Sequence, residues 1–249
     1  MTLQHILYII FSLIFVGIVL YLGSFIKKQK HKDLFTAFWA LACFFFHISM
    51  CFVTLFQNGN GQVGTIVDNQ LMPIYFCNFI MYLLLIVAFW FDKSTKVFQN
   101  IATFTAWGGI FGALITLFIT DPGFPHWYNV QSAFSHTCLL ITSLYLFIGK
   151  YIKLNVYNLI PYSFGLLSTG IIGGLVMLIY FINDCPIPNA MYLLGGPAEL
   201  PWFHGGYFAI AMILIIFIIC AIYEHFTKEE NNRWYKSKED IYLYLKLNK

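Results

Sequence analysis

The 249 residues are 59% hydrophobic and 10% charged, with a formal net charge of +3. A soluble domain carries about a quarter charged residues to wet its surface, so this composition excludes an ordinary water-soluble globule. The short alternating segments of a membrane β-barrel are also missing, which leaves an all-α helical bundle in the membrane.

Apolar runs predict seven transmembrane helices at about 6–26, 34–55, 71–91, 101–119, 128–149, 162–182 and 202–223. No basic stretch precedes the first run (Met1 to His5), so it reads as a retained span rather than a cleaved leader. The first connection holds Lys27, Lys28, Lys30 and Lys32; the third holds Lys93 and Lys96; the fifth holds Lys150 and Lys153. The tail holds Lys228, Arg233, Lys236, Lys238, Lys246 and Lys249, which completes the 14 basic residues. The alternate connections carry only Asp68, Asp121, Asp184 and Glu199. The positive-inside rule then predicts an external N-terminus and a cytoplasmic C-terminus. Domain organisation follows as a membrane domain over 1–223 and a basic tail over 224–249, the tail either an interfacial helix or a solvated segment.

In chain order, the second span places Cys43, His47 and Cys51 on one face at four-residue steps, a soft-metal pattern that lacks a fourth ligand. The third span opens near Pro73 and carries Cys77 and Asn78, with Cys77 expected about one turn inside. The fourth contains Gly108 and Gly112, and the sixth Gly170 and Gly174, both with the small-xxx-small spacing of close helix contacts. Between the fourth and fifth, Asp121-Pro-Gly-Phe-Pro-His-Trp127 is turn chemistry. The fifth span bears a polar stripe of Asn129, Ser132, His136 and Ser143, spaced three, four and seven residues apart and so on one helical face. The last outer connection holds Cys185 and Asn189, with His204 just beyond. No disulfide framework emerges from six cysteines of which one is expected outside.

Depth links these residues. At 1.5 Å per helical residue, Cys77 lies roughly 9 Å below the outer end of its span, and His47 and His136 roughly 12 Å below theirs. Intramembrane ionisable side chains usually face a bundle interior or a water-filled cavity, so the three predict an outward-facing polar cavity. Asn78 and Ser132 would support it, with Asp121, His126, Asn189 and His204 above. A thiol and an imidazole at one level suggest a nucleophile and its base; the alternative is that Cys77 is a small buried hydrophobe.

Leu71-Met-Pro-Ile-Tyr-Phe-Cys77-Asn resembles the Leu-Pro-Leu-His-Leu-Cys-Asp segment of the YwaF-like bacterial integral membrane proteins. Asp121-Pro with Phe134-Ser-His136, and Asn189-Ala-Met-Tyr192 with Gly196-Pro197 and Pro201-Trp202, are similar to two further segments of that family, in the same order. Asn78 stands where many members have Asp, and Tyr75 where many have His. The family is distantly similar to a eukaryotic transmembrane acyltransferase family that remodels ether phospholipids through a Cys nucleophile. The resemblance implies a multi-pass protein of the cell (plasma) membrane, with Cys77 as nucleophile, His136 as base and membrane phospholipids as partners. No cofactor is expected; beyond the incomplete set of Cys43, His47 and Cys51 nothing in the sequence points to metal, and nothing points to nucleic acid. A non-enzymatic binder or carrier of a lipid or small hydrophobic molecule is the alternative, and a seven-helix receptor rests on helix count alone.

Overall fold

The computed structural model describes residues 2–57, 74–119, 127–194, 204–228 and 233–235, with side chains omitted at 50–57 and 127–129. Among the described residues there are seven α-helices and no strand. They are α1 (Leu3–Ser24), α2 (Gln29–Gln57), α3 (Phe76–Ala88), α4 (Lys96–Ile119), α5 (Trp127–Ile148), α6 (Leu159–Ile182) and α7 (Gly205–Thr227). Short 3₁₀ turns at Val156–Asn158 and Ala190–Tyr192 flank α6.

Five of the seven, all but α2 and α3, are long and apolar enough to cross a membrane by length and composition. The first turns of α2 carry Lys30, Lys32 and Asp33, and α3 is 13 residues long. Helix ends depart from the sequence reading in two places that matter. The third helix starts at Phe76, not near Pro73, so Cys77 falls in its first turn instead of a turn deeper. The seventh continues to Thr227, so Glu224 lies within it and is fully buried, not in a solvated tail.

Helices α4 and α5 form the centre, with 67% and 72% of their membrane-length windows buried, against 17% for the α6 and α7 segments. Around them α2 packs mainly on α5, α3 on α4 and α2, and α1 on α5. The outward faces of the peripheral helices are apolar, with Phe11, Ile14 and Ile18 on α1 and Phe164, Leu167 and Phe181 on α6 exposed. Such faces are unusual on a soluble monomer and suit contact with hydrocarbon.

The ends that carry the basic residues meet at one end of the bundle. Lys32 Nζ donates to the Gly149 carbonyl at 3.1 Å, Lys93 Nζ bonds Asp33 Oδ1 at 2.8 Å, and the Tyr151 hydroxyl donates to Asp33 at 2.7 Å. Burial pushes the Asp33 carboxyl up, but the hydrogen bonds from Lys93 and Tyr151 and the Lys93 charge outweigh it and hold that carboxyl below its usual range. Glu224 accepts from the Val156 amide at 2.8 Å, the Trp234 amide at 3.3 Å and Lys228 Nζ at 3.1 Å. One buried carboxylate thereby joins the start of α6, the end of α7 and the following chain. At the opposite end His5 Nε2 lies 2.9 Å from the Leu117 carbonyl, and the Met191 amide donates to the Ile74 carbonyl at 2.7 Å.

The two small-xxx-small pairs have different fates. A Cβ at Gly108 would lie 2.6 Å from Ile80 Cδ1, and one at Gly112 would lie 3.6 Å from Cys77 Cβ, so this pair lets α3 sit close on α4. A Cβ at Gly170 or Gly174 would meet nothing within 4 Å. Among the described residues that pair makes no close helix contact, contrary to the packing expectation. Gly108→Leu should therefore lower the thermal midpoint of the detergent-solubilised protein, overpacking costing about 1–3 kcal/mol. Gly174→Leu should leave the midpoint unchanged.

Candidate functional site

A cavity of about 1050 Å³ lies between α3, α5, α6 and α7 and reaches side chains of all seven helices. This is at the upper end of the 300–1,000 Å³ typical of small-molecule pockets. Its wall on the α2, α3 and α5 side is polar: His47, Cys77, Asn78, Gln131, Ser132 and His136. Its α6 and α7 side is mostly apolar, with Leu166, Leu167, Ile171, Ala209, Met212 and Ile213 beside Ser163 and Thr169. No Lys, Arg, Asp or Glu is among the lining residues described.

His136 is held in a defined tautomer. Nδ1 lies 2.8 Å from the Ser132 carbonyl oxygen, one helical turn earlier. A carbonyl can only accept, so the hydrogen sits on Nδ1 and Nε2 carries the lone pair. The same carbonyl accepts from the Ser135 hydroxyl at 3.0 Å, and the Ser135 carbonyl accepts from the Cys43 thiol at 3.2 Å. The imidazole is 7% exposed, and Nε2 is buried with no hydrogen-bond partner among the described residues. The His136 ring thus belongs to the cavity wall, with Nδ1 fixed by the backbone and its base nitrogen covered and unpartnered among the described residues. The Ser132 carbonyl supplies the orientation that a carboxylate would otherwise provide.

Cys77 is half-buried, and its thiol contacts Asn78 Oδ1 at 3.5 Å. Its helix begins after Tyr75, which contributes no side-chain cap. The amides of an α-helix's first turn have no intrahelical acceptor, and the N-terminal end of the dipole favours negative charge. Behind Cys77, Gly112 leaves room for α4 to lie against its backbone.

The roof is the turn after α6. Met191 and Tyr192 both line the cavity and both have left-handed φ, 53° and 55°, at a cost of about 1–2 kcal/mol each for residues with a Cβ. They are held there by the Met191–Ile74 backbone bond, by the Met191 side chain packed on Gly173, and by the Tyr75, Tyr192 and Phe208 rings. Asn189 is not among the lining residues; its Oδ1 accepts from the Leu194 amide at 2.9 Å and braces this turn. His204 caps α7 through the Gly206 amide.

The polar stripe on the fifth helix divides. Ser132 and His136 line the cavity, whereas Ser143 is fully buried at the α4–α5 contact, on the same helical face but deeper. A Cβ built at Gly109 falls directly on Ser143 Oγ, so only a residue without a side chain fits opposite it. The side chain of Asn129, that of Cys51, and residues Asp121, His126, Gly196, Pro197, Pro201 and Trp202 lie outside the described residues. Cys43 spends its thiol on Ser135, and among the described residues no group of three or more His, Cys, Asp or Glu is placed to hold a metal.

Gln131 escaped the sequence reading. It is 4% exposed, lines the cavity, and its Oε1 has no hydrogen-bond partner among the described residues. The available signal was an amide inside a span, where polar groups are costly, but counting by three and four from Asn129 steps over it. Tyr8 of α1 was missed likewise; its hydroxyl donates to the Ala133 carbonyl at 3.5 Å.

The chain matches the TMEM164 family over residues 1–225. No curated protein and no solved structure matches it.

Thiol accessibility reads out this arrangement. In the folded protein a maleimide should modify exposed Cys185 first and half-buried Cys77 next, leaving buried Cys43, Cys138 and Cys220 intact. Peptide mass spectrometry over a time course gives the order, and labelling of Cys138 before Cys77 would contradict the site.

Proposed function

The chain belongs to the TMEM164 family, and on that premise we propose that it is a membrane acyltransferase working through a Cys77 thioester with His136 as base. The observation that carries this reading is that His136, whose Nε2 has no hydrogen-bond partner among the described residues, lines the same cavity as Cys77. In the proposed topology all seven helices cross the cell membrane, including α2 and α3. The basic end lies in the cytoplasm by the positive-inside rule, which leaves the cavity in the outer half of the bilayer.

In the first half-reaction His136 Nε2 takes the thiol proton and the Cys77 sulfur attacks the carbonyl of a lipid ester. The tetrahedral oxyanion is stabilised by amides of the α3 first turn. As it collapses, the C–O bond breaks and the leaving lysolipid oxygen takes the proton back from His136. In the second half-reaction Nε2 removes the hydroxyl proton of an acceptor lysolipid, whose oxygen attacks the thioester. The thiolate leaves and recovers its proton from His136. Ser132 and Ser135 keep the imidazole in the tautomer that both halves require.

A second reading has one observation in its favour: the thiol contact shown for Cys77 goes to Asn78. On that reading the cavity binds or carries a lipid or small hydrophobic molecule without chemistry.

Reconstituted protein in phosphatidylcholine vesicles, given a fluorescent-acyl phospholipid donor and a lysophospholipid acceptor, separates the two. Acyl transfer should fall at least 100-fold in Cys77→Ala and in His136→Ala, the scale of a lost general base. Wild type should carry a hydroxylamine-sensitive acyl adduct on Cys77. Full activity in both variants would end the enzyme reading. Ligand binding indifferent to Cys77→Ala but blocked by Ser132→Trp would establish the second.

A further inference from the structure

The cavity is not sealed on its apolar side. Leu167 and Ile171 of α6 line it and are 63% and 58% exposed, on a helix that is itself little buried. The cavity is bordered there by side chains that the neighbouring helices do not cover. Between them on the cavity wall sits Gly170, where an added Cβ would meet nothing within 4 Å. Across from α6 the α7 wall comprises Gly205, Gly206, Phe208, Ala209, Met212 and Ile213. From Ser163 to Ile171 and from Gly205 to Ile213 the lining spans about 12 Å along each helix at 1.5 Å per residue. It ends against buried Met212, whose sulfur accepts from the buried Tyr162 hydroxyl at 3.2 Å.

Two residues that line the opposite side of the same space, His136 and Gln131, each hold a covered polar atom that lacks a partner among the described residues. His136 Nε2 and Gln131 Oε1 are both buried, and both can only accept a hydrogen bond in this arrangement. An occupant that satisfies the whole cavity therefore offers hydrogen-bond donors, such as hydroxyls, at one end and hydrocarbon at the other. The apolar end leads directly to the face that lies against lipid tails.

We propose that the cleft between α6 and α7 at Gly170 is a lateral opening, in which one hydrocarbon chain of a membrane lipid lies while its donor-bearing end sits at His136 and Gln131. The proposal rests on the reading that the cavity takes a lipid, and is independent of any bond formed at Cys77. The chain enters sideways from the bilayer, so the hydrocarbon is never exposed to water and the opening sets how bulky that chain can be. Gly174, one turn further along α6, is open to the outside but is not part of the cavity wall, which makes it the natural control.

The test uses the full-length protein in phosphatidylcholine vesicles and a lysophosphatidylcholine with a diazirine in the distal half of its acyl chain. After photolysis, peptide mass spectrometry should place adducts on the 163–171 and 205–213 segments, and excess unmodified lysophosphatidylcholine should compete them away. Gly170→Trp, and Ala209→Trp from the facing wall, should each cut these adducts at least fivefold at unchanged thermal midpoint. Gly174→Trp should leave them at the wild-type level. Uncompeted adducts spread over the exposed faces of α1, α6 and α7, or competed adducts insensitive to both Trp variants on the cavity wall, would overturn the opening. Competed, Trp-sensitive adducts in a protein that shows no acyl transfer would retain the opening and remove the acyltransferase. Cys77-dependent transfer with no competed adduct would do the reverse.

Discussion

A ring nitrogen buried among packed helices, with lipid tails beyond them, has no bulk water to turn to. Leaving such an acceptor unsatisfied costs about 1–3 kcal/mol, and the surrounding structure has to accommodate it. Here His136 commits Nδ1 to the Ser132 carbonyl, which leaves Nε2 without a partner among the described residues, on a ring that lines a large cavity. Much of the neighbouring structure supports that arrangement. Ser135 and Cys43 brace the same helical turn, and Gly108 and Gly112 bring α3 close enough to α4 to place Cys77 on the cavity wall. The strained turn at Met191 and Tyr192 closes the space from above.

The two ends of the bundle are built differently. The basic end is tied by side-chain bonds that link successive connections: Lys32 to Gly149, Asp33 to Lys93 and Tyr151, and Glu224 to Val156 and Trp234. Among the described residues the cavity end is joined by backbone and ring contacts and by the side chains of His5 and Asn189, and α6 and α7 bury only a small share of their surface.

The helical class and most helix positions were legible, because apolar run length and charge distribution answer to the thickness and dielectric of the bilayer. Depth counting from the rise per residue predicted a shared cavity for His47, Cys77 and His136, and all three are among the residues that line it. What could not be read depended on neighbours. Pro73 suggested an earlier start for the third helix, but regular structure begins only after Tyr75, which moves Cys77 into the first turn. Ser143 shares a face with His136 yet is covered by α4 at Gly109, a fact of packing rather than of spacing. Gly170 and Gly174 have the same spacing as Gly108 and Gly112, but no helix comes to meet them. Glu224 looked like the start of a solvated tail because its partners, Val156 and Trp234, are distant in the chain or beyond the helix.

The central claim is the state of one nitrogen, and it is directly observable. With ¹⁵N-histidine incorporated into protein in lipid bilayers, solid-state NMR reports which ring nitrogen of His136 bears the hydrogen, its signal assigned by loss in His136→Gln. The account predicts a protonated Nδ1, a bare Nε2, and a shift of the Nε2 signal when lysophosphatidylcholine is added. A hydrogen on Nε2 with a bare Nδ1, or an Nε2 signal indifferent to added lysolipid, would contradict it.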